Sequence, residues 1–168
     1  MLPTRHLSCS TILHSTPHHP TTIAAVSGFL GRYTYQLDEK GRVALPSGFR
    51  RAADGESFVL LQWRAPSLTL FPDSAWTEVR SRLIDYRHTA PEAFEHILWL
   101  ASSASEVKPD KQHRFVIPGF LREAANLEGS VLLVGALDRI EIWNPEDFTE
   151  RVRPGGADFD RFAHQIFG

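Results

Sequence analysis

An internal duplication sets the plan of this chain. Residues 38–76 align with residues 110–148 at a constant offset of 72 and without a gap. Ten of the 39 aligned pairs are identical, whereas unrelated segments of average composition would share about two or three. The identical pairs are Asp38/Asp110, Arg42/Arg114, Pro46/Pro118, Arg50/Arg122, Ala52/Ala124, Ala53/Ala125, Glu56/Glu128, Val59/Val131, Leu60/Leu132 and Leu61/Leu133. Because a repeat this short cannot bury its own apolar face, the two copies are predicted to fold together.

Both copies predict the same order of elements: a strand, a tight turn, a return strand, a short helix and two further strands. The predicted strands of the first copy are 33–37, 42–45, 58–63 and 67–71, with a helix at 47–53 opened by Pro46. Those of the second are 105–108, 114–117, 130–135 and 139–143, with a helix opened by Pro118. This mixture predicts an α+β fold with a pseudo-two-fold repeat.

Helical periodicity predicts the remaining segments. The predicted inward-facing side chains are Trp76, Val79 and Leu83 on a helix capped by Asp73 or Ser74, and Phe94, Ile97, Leu98 and Ala101 on a helix that begins at Pro91. Pro145 opens another helix, and Phe159, Phe162 and Ile166 recur at helical spacing in the tail. These three tail residues are predicted to pack on the core or on a neighbouring subunit. The tryptophans Trp63, Trp99 and Trp143 are interpreted as core or interface residues.

Composition restricts the classes of function. The net charge of −2 provides no general positive field for nucleic acid, so any such binding requires local basic patches, ideally multiplied by oligomerisation. The single cysteine, Cys9, excludes an intramolecular disulfide framework and suits a reducing compartment. No apolar run approaches the roughly 20 residues of a membrane span. Neither a phosphate-binding loop nor a nucleophile elbow is present, and a metal cluster around His88 and His96 is a weaker interpretation than a solvated helix face.

The first 26 residues differ from the rest, because Pro, His, Ser and Thr dominate them and acidic residues are absent. We interpret them as a disordered extension or a wrongly assigned start, with metal binding by His14, His18 and His19 as the alternative. The predicted organisation is an extension (1–26), a first repeat (29–76), a helical linker (77–104), a second repeat (105–148) and a helical tail (149–168).

Both copies place an acid and an arginine four residues apart across a turn. The turn Asp38-Glu39-Lys40-Gly41-Arg42 recurs as Asp110-Lys111-Gln112-His113-Arg114, each time before an apolar strand and a proline. One interpretation is an ion pair that only holds the loop. The other is that Lys40, Arg42, Lys111 and Arg114 reach phosphates or base edges. Recurrence favours the second. Arg32, Arg50, Arg51 and Arg122 are further candidate phosphate contacts, with structural ion pairing as the alternative for Arg50 and Arg122.

The segment Leu37–Pro46, with its degenerate second copy, resembles the MraZ family of bacterial transcriptional regulators. The similarity covers about 29–143 and includes Gly31, Leu70-Phe71-Pro72, Trp76, Val134-Gly135 and Glu141-Ile142-Trp143. It implies two tandem AbrB-type swapped-hairpin half-domains, a ring-shaped homo-oligomer, and repression at repeated short elements of double-stranded DNA. Those elements lie in the promoter of the division and cell-wall gene cluster, which includes the regulator's own gene.

The resemblance also implies the site. The family's Asp-x-x-x-Arg motif corresponds to Asp38 and Arg42 and to Asp110 and Arg114, beside Lys40 and Lys111. No catalytic residue, metal or cofactor is expected, and the protein is expected in the cytoplasm at the nucleoid, away from membranes. One departure is His113, which occupies the position of Gly41 and predicts a second turn of different shape. The rival hypothesis is an antitoxin-like or scaffold protein of the same fold that binds a protein partner through its C-terminal tail. An enzyme is the least supported class.

Overall fold

The computed structural model describes residues 28–153 and 155–168. The N-terminal extension, with Cys9 and the three histidines considered as metal ligands, lies outside the described residues. The strands are β1 (Arg32–Gln36), β2 (Arg42–Ala44), β3 (Phe58–Leu61), β4 (Leu68–Pro72), β5 (Ser105–Val107), β6 (Arg114–Val116), β7 (Ser130–Gly135) and β8 (Ile140–Trp143). The helices are α1 (Ser47–Ala52), α2 (Asp73–Thr89), a 3₁₀ turn (Pro91–Ala93), α3 (Phe94–Ser103), α4 (Gly119–Ala124), α5 (Pro145–Arg151) and α6 (Ala157–Phe167). The α+β prediction is confirmed.

Strand exchange joins the two repeats. A six-stranded antiparallel sheet has the order β1-β7-β8-β4-β3-β5, and β2 and β6 form a separate antiparallel ribbon. Thus β1 of the first repeat pairs with β7 of the second, and β5 of the second pairs with β3 of the first. The return strand β2 pairs with β6 of the second repeat and not with β1. Neither repeat completes its sheet alone, so the prediction that the copies fold together is confirmed.

Equivalent residues of the two copies meet in one core. Val43 pairs with Phe115 at the centre of the ribbon, and both are buried. The remaining large side chains of this core include Leu45, Ile117, Phe49, Leu121, Phe58, Leu60, Leu70, Leu133, Ile140 and Ile142. Strand alternation therefore turns Val43 and Phe115 inward and leaves the flanking positions, including Arg42 and Arg114, on the outer face of the ribbon.

The long helices are less buried than their periodicity predicts. Trp76, Val79 and Leu83 of α2 are half-buried as expected, although α2 begins at Asp73 without a side-chain cap. On α3 only Ile97 of the predicted inward face is half-buried, whereas Phe94, Leu98 and Ala101 are exposed. Their predicted orientation is wrong, because Ala93 and Leu100 turn inward in their place.

Exposed aromatic residues mark two further departures from expectation. Trp63 and Trp99 are about half exposed and therefore are not core residues of the single chain, whereas Trp143 is half-buried. The tail residues Phe159 and Phe162 are also exposed, as is Ile166, so packing of this stripe on the chain's own core is wrong. Within the described residues, none of the helices combines the length and apolar character that crossing a membrane requires.

Candidate nucleic-acid interface

The carboxylate of Asp38 organises the first turn. Its Oδ1 accepts hydrogen bonds from the backbone N–H groups of Lys40 and Arg42, each at 2.9 Å, and its Oδ2 accepts one from Arg42 Nε at 2.7 Å. The backbone closes the same turn, since Gly41 N–H donates to the Asp38 carbonyl at 2.8 Å and Asp38 N–H donates to the Arg42 carbonyl at 3.0 Å. Asp38 thus fixes both the loop and the direction of the Arg42 guanidinium.

The second turn has the same geometry. Asp110 Oδ1 accepts from the backbone N–H groups of Gln112 and Arg114 at 2.8 and 3.0 Å, and its Oδ2 accepts from Arg114 Nε and Nη2 at 3.2 and 3.0 Å. His113 adopts φ 59°, close to the 72° of Gly41. The expectation that His113 would give this turn a different shape is therefore wrong. The hydrogen bonds of the loop hold the histidine in a backbone region that such residues tolerate.

The two turns converge on one surface. The ribbon register places Arg114 opposite Ala44 and Arg42 opposite Val116, so both arginines lie on its outer face. Arg114 Nη1 lies 3.9 Å from Asp38 Oδ2, which connects the second turn to the first. Both guanidiniums are about 30% exposed and accessible to a ligand. Lys40 and Lys111 are exposed at the tips of the turns.

Arginines of the short helices pack beside the turns of the opposite repeat. A Cβ atom at Gly41 would lie 2.9 Å from Cζ and Nε of Arg122, which belongs to α4. Arg50 of α1 lines one cavity together with Asp110, Lys111 and His113 of the second turn. Neither Arg50 nor Arg122 forms a salt bridge within the described part of the chain, so ion pairing does not explain them. The sequence did not show that Arg50 and Arg122 pack beside the turn of the opposite repeat. The only indication in the sequence was that both copies have arginine at this position.

Alanine at position 41 is expected to destabilise the protein by about 1–3 kcal/mol, because φ of 72° is unfavourable for a residue with a Cβ atom, and that atom would lie 3.2 Å from the Ile117 carbonyl oxygen and would displace the end of the Arg122 side chain. Urea unfolding would measure this loss. Gly55→Ala is the matched control, since a Cβ there meets nothing within 4 Å. Equal stabilities of the two variants would contradict the left-handed backbone conformation of residue 41 in this turn.

Hydrogen bonding lowers the pKa of both turn carboxylates. For Asp38 the main cause is the backbone N–H of Arg42, which outweighs partial desolvation, and the Arg42 side chain and the Lys40 backbone add to it. For Asp110 the backbone N–H of Arg114 has the same leading role. Both groups are therefore carboxylates at neutral pH and hold their arginines in place.

Acid is expected to weaken the turns. Because the folded pKa values lie below the unfolded value of about 3.9, the stabilisation is fully present above that value and is lost as the pH falls through the lower folded pKa. Between about pH 5 and pH 3, the Tm of the wild type should fall more than that of Asp38→Asn/Asp110→Asn. Thermal melts followed by circular dichroism would test this, with Glu39→Gln/Asp54→Asn as the control pair. Parallel Tm curves for wild type and the aspartate variant would refute it.

Comparison with known proteins decides the family. The family model for the MraZ protein, whose description calls it antitoxin-like, matches residues 29–95 and 100–159. The chain belongs to the MraZ family. Curated relatives named Transcriptional regulator MraZ include one from Leuconostoc mesenteroides, 33% identical over 138 residues, which cover 82% of this chain and 96% of the relative. Those from Desulforamulus reducens and Lactiplantibacillus plantarum are 31% and 33% identical over the same length and cover 96% and 97% of those relatives. Both MraZ segments contain one Asp-x-x-x-Arg turn, so the family match spans the whole candidate site.

Proposed function

We propose that this MraZ family member is a transcriptional regulator that binds double-stranded DNA through its paired turns. The observation that supports this most is the convergence of Arg42 and Arg114 on the outer face of one ribbon, each oriented by its own aspartate. The names of the curated relatives support the regulatory role. An arginine fork suits both guanine edges and phosphates, and a ribbon of two strands fits the major groove.

The hydrogen bonds within the turns indicate which side-chain atoms are available to base edges and which to phosphates. Arg42 uses Nε for Asp38 and has no partner for its two Nη groups among the described residues, so these groups are assigned to base edges. Arg114 uses Nε and Nη2 for Asp110, and its Nη1, which lies 3.9 Å from Asp38 Oδ2, is the group left for DNA. Lys40 and Lys111, with Arg50 and Arg122 beside the turns, supply the positive charge that attracts phosphates.

Multiple copies would give this small interface its affinity. A single chain of net charge −2 with one pair of arginine turns should bind DNA weakly. A ring-shaped homo-oligomer presents many such pairs, and the first contact raises the effective concentration of the others at adjacent repeated elements. The proposed targets are repeats in the promoter of the division and cell-wall gene cluster, including the protein's own gene. Repression there would place the protein at the nucleoid in the cytoplasm, without enzymatic activity.

A salt series tests the proposal. The full chain is titrated into a labelled duplex from upstream of its own gene, between about 50 and 200 mM salt. Release of counterions from several neutralised phosphates should weaken binding by about 10³-fold or more over this range if some six phosphates are contacted. A scrambled duplex of equal length is the control. Affinity that does not change with salt, or that is equal for both duplexes, would refute sequence-specific binding by the turns.

A further inference from the structure

An apolar groove lies between α2 and α3, away from the arginine turns. Leu83 and Tyr86 of α2 line it together with Ile97, Trp99 and Leu100 of α3 and with Trp63, and the remaining lining residues are Ala93 and the polar Glu92 and His96. Tyr86, Trp99 and Trp63 are 57%, 58% and 52% exposed, although they are large aromatic residues. Phe94 and Leu98 extend the exposed apolar surface along α3. Exposure of so many large apolar side chains on two neighbouring helices is typical of an interaction site.

The tail helix α6 presents a complementary surface. Phe159, Phe162 and Ile166 form one stripe along it and are all more than half exposed. With 11 residues α6 is about 16 Å long, and α3 with 10 residues is about 15 Å long. The stripe itself, from Phe159 to Ile166, extends about 10 Å along α6, so it fits within the length of α3.

Charge favours one orientation. The first turn of α6 carries Asp158 and Asp160, and the last turn of α2 carries Arg87 and His88. Arg87 follows Tyr86, which lines the groove. Docking that brings the first turn of α6 to the last turn of α2 would place its carboxylates next to Arg87, and the opposite ends of the two helix dipoles next to each other, although Glu92 of the groove lies at the same end.

Within the described residues of one chain, neither the α2–α3 groove nor the apolar stripe of α6 is covered. Trp63 lines both the groove and a second cavity that contains Arg151 and Val152, so the tail leaves the body beside its own groove. The residues between α5 and α6, 152–156, could span at most about 17 Å. Even so, α6 is fully formed with its stripe exposed.

We infer that α6 of one copy docks in the α2–α3 groove of a second copy. Every copy carries one helix and one groove, so this head-to-tail contact satisfies both surfaces and can close into a ring. The inference rests on the oligomer of the proposed function and identifies the surfaces that build it. Burial of the aromatic side chains from both surfaces supplies the driving force.

Cross-linking between two differently tagged chains tests the contact directly. In a Cys9→Ser background, one full-length chain carries Trp99→Cys and the other Phe162→Cys, and the mixture is oxidised mildly. A covalent dimer that contains both tags is expected. His164→Cys replaces Phe162→Cys in the control, because two residues along a helix turn the side chain to nearly the opposite face. A control that cross-links equally well would refute the orientation of α6.

Mass measurement by light scattering supplies the second readout. Phe162→Asp is expected to reduce the oligomer mass and to weaken binding to repeated DNA elements by at least about tenfold through lost avidity, whereas His164→Asp keeps the wild-type mass. Absence of the covalent dimer that contains both tags, an unchanged mass for Phe162→Asp, or a monomeric wild type would each overturn the inference. In the first two cases Arg42-dependent DNA binding would still support the proposed function. A cross-linked ring without DNA binding would refute that function alone.

Discussion

Replacement of both Arg42 and Arg114 by alanine is expected to abolish sequence-specific DNA binding. An arginine that contacts a base edge with two hydrogen bonds, as the two free Nη groups of Arg42 would allow, contributes about 1–3 kcal/mol of discrimination, or roughly 5–150-fold in affinity. The two lie on one ribbon face, so their losses combine within a chain and again across the copies of an oligomer. Fluorescence anisotropy with the upstream duplex would measure the dissociation constant.

The matched control for this prediction is Arg82→Ala. Arg82 lies on α2 with its side chain 79% exposed, and its salt bridge to Glu78 is a surface contact of little consequence. This variant should bind DNA as the wild type does. The single variants Arg42→Ala and Arg114→Ala should both weaken binding, because both turns have the same hydrogen bonds. Wild-type affinity in a folded double variant would show that the ribbon does not read DNA.

Phe115→Ala is expected to lower the free energy of unfolding by about 3–5 kcal/mol, the range found for buried phenylalanines. Phe115 is 1% exposed and pairs with Val43 where the two repeats cross. A cavity there removes packing from both repeats together, so a single cooperative transition should shift to lower denaturant. Urea unfolding followed by fluorescence and circular dichroism would measure the midpoint and the slope.

The neighbouring residue provides the control. Val116 is on the same strand but turns outward and is 49% exposed. Val116→Ala should change the free energy of unfolding by less than about 1 kcal/mol. If Phe115→Ala and Val116→Ala lowered the free energy of unfolding equally, packing inside the β2–β6 ribbon would not be what holds the two repeats together.

Local patterns predicted the elements more accurately than their partners. The Asp-x-x-x-Arg spacing predicted both turns, because an aspartate that accepts hydrogen bonds from the following backbone needs only nearby residues. Pro46 and Pro118 likewise predicted α1 and α4, because proline suits the first turn of a helix. The pairing of β2 with β6 was missed, since a strand's partner depends on contacts distant in sequence. The exposed face of α3 was missed because an apolar helix surface looks the same whether it meets its own core or another chain.

The sequence by itself determined the duplication, the α+β character, the two acid–arginine turns and the family resemblance, because each of these depends on the type and spacing of residues along the chain. Only the tertiary structure decided which strands of the two repeats pair, that Arg42 and Arg114 share one face, and that Arg122 lies beside Gly41. It also decided that His113 keeps the geometry of the first turn, since the surrounding hydrogen bonds outweigh its backbone preference. Residues close in sequence determine the local conformation of a segment. Which segments come into contact is determined only when they bury a common core.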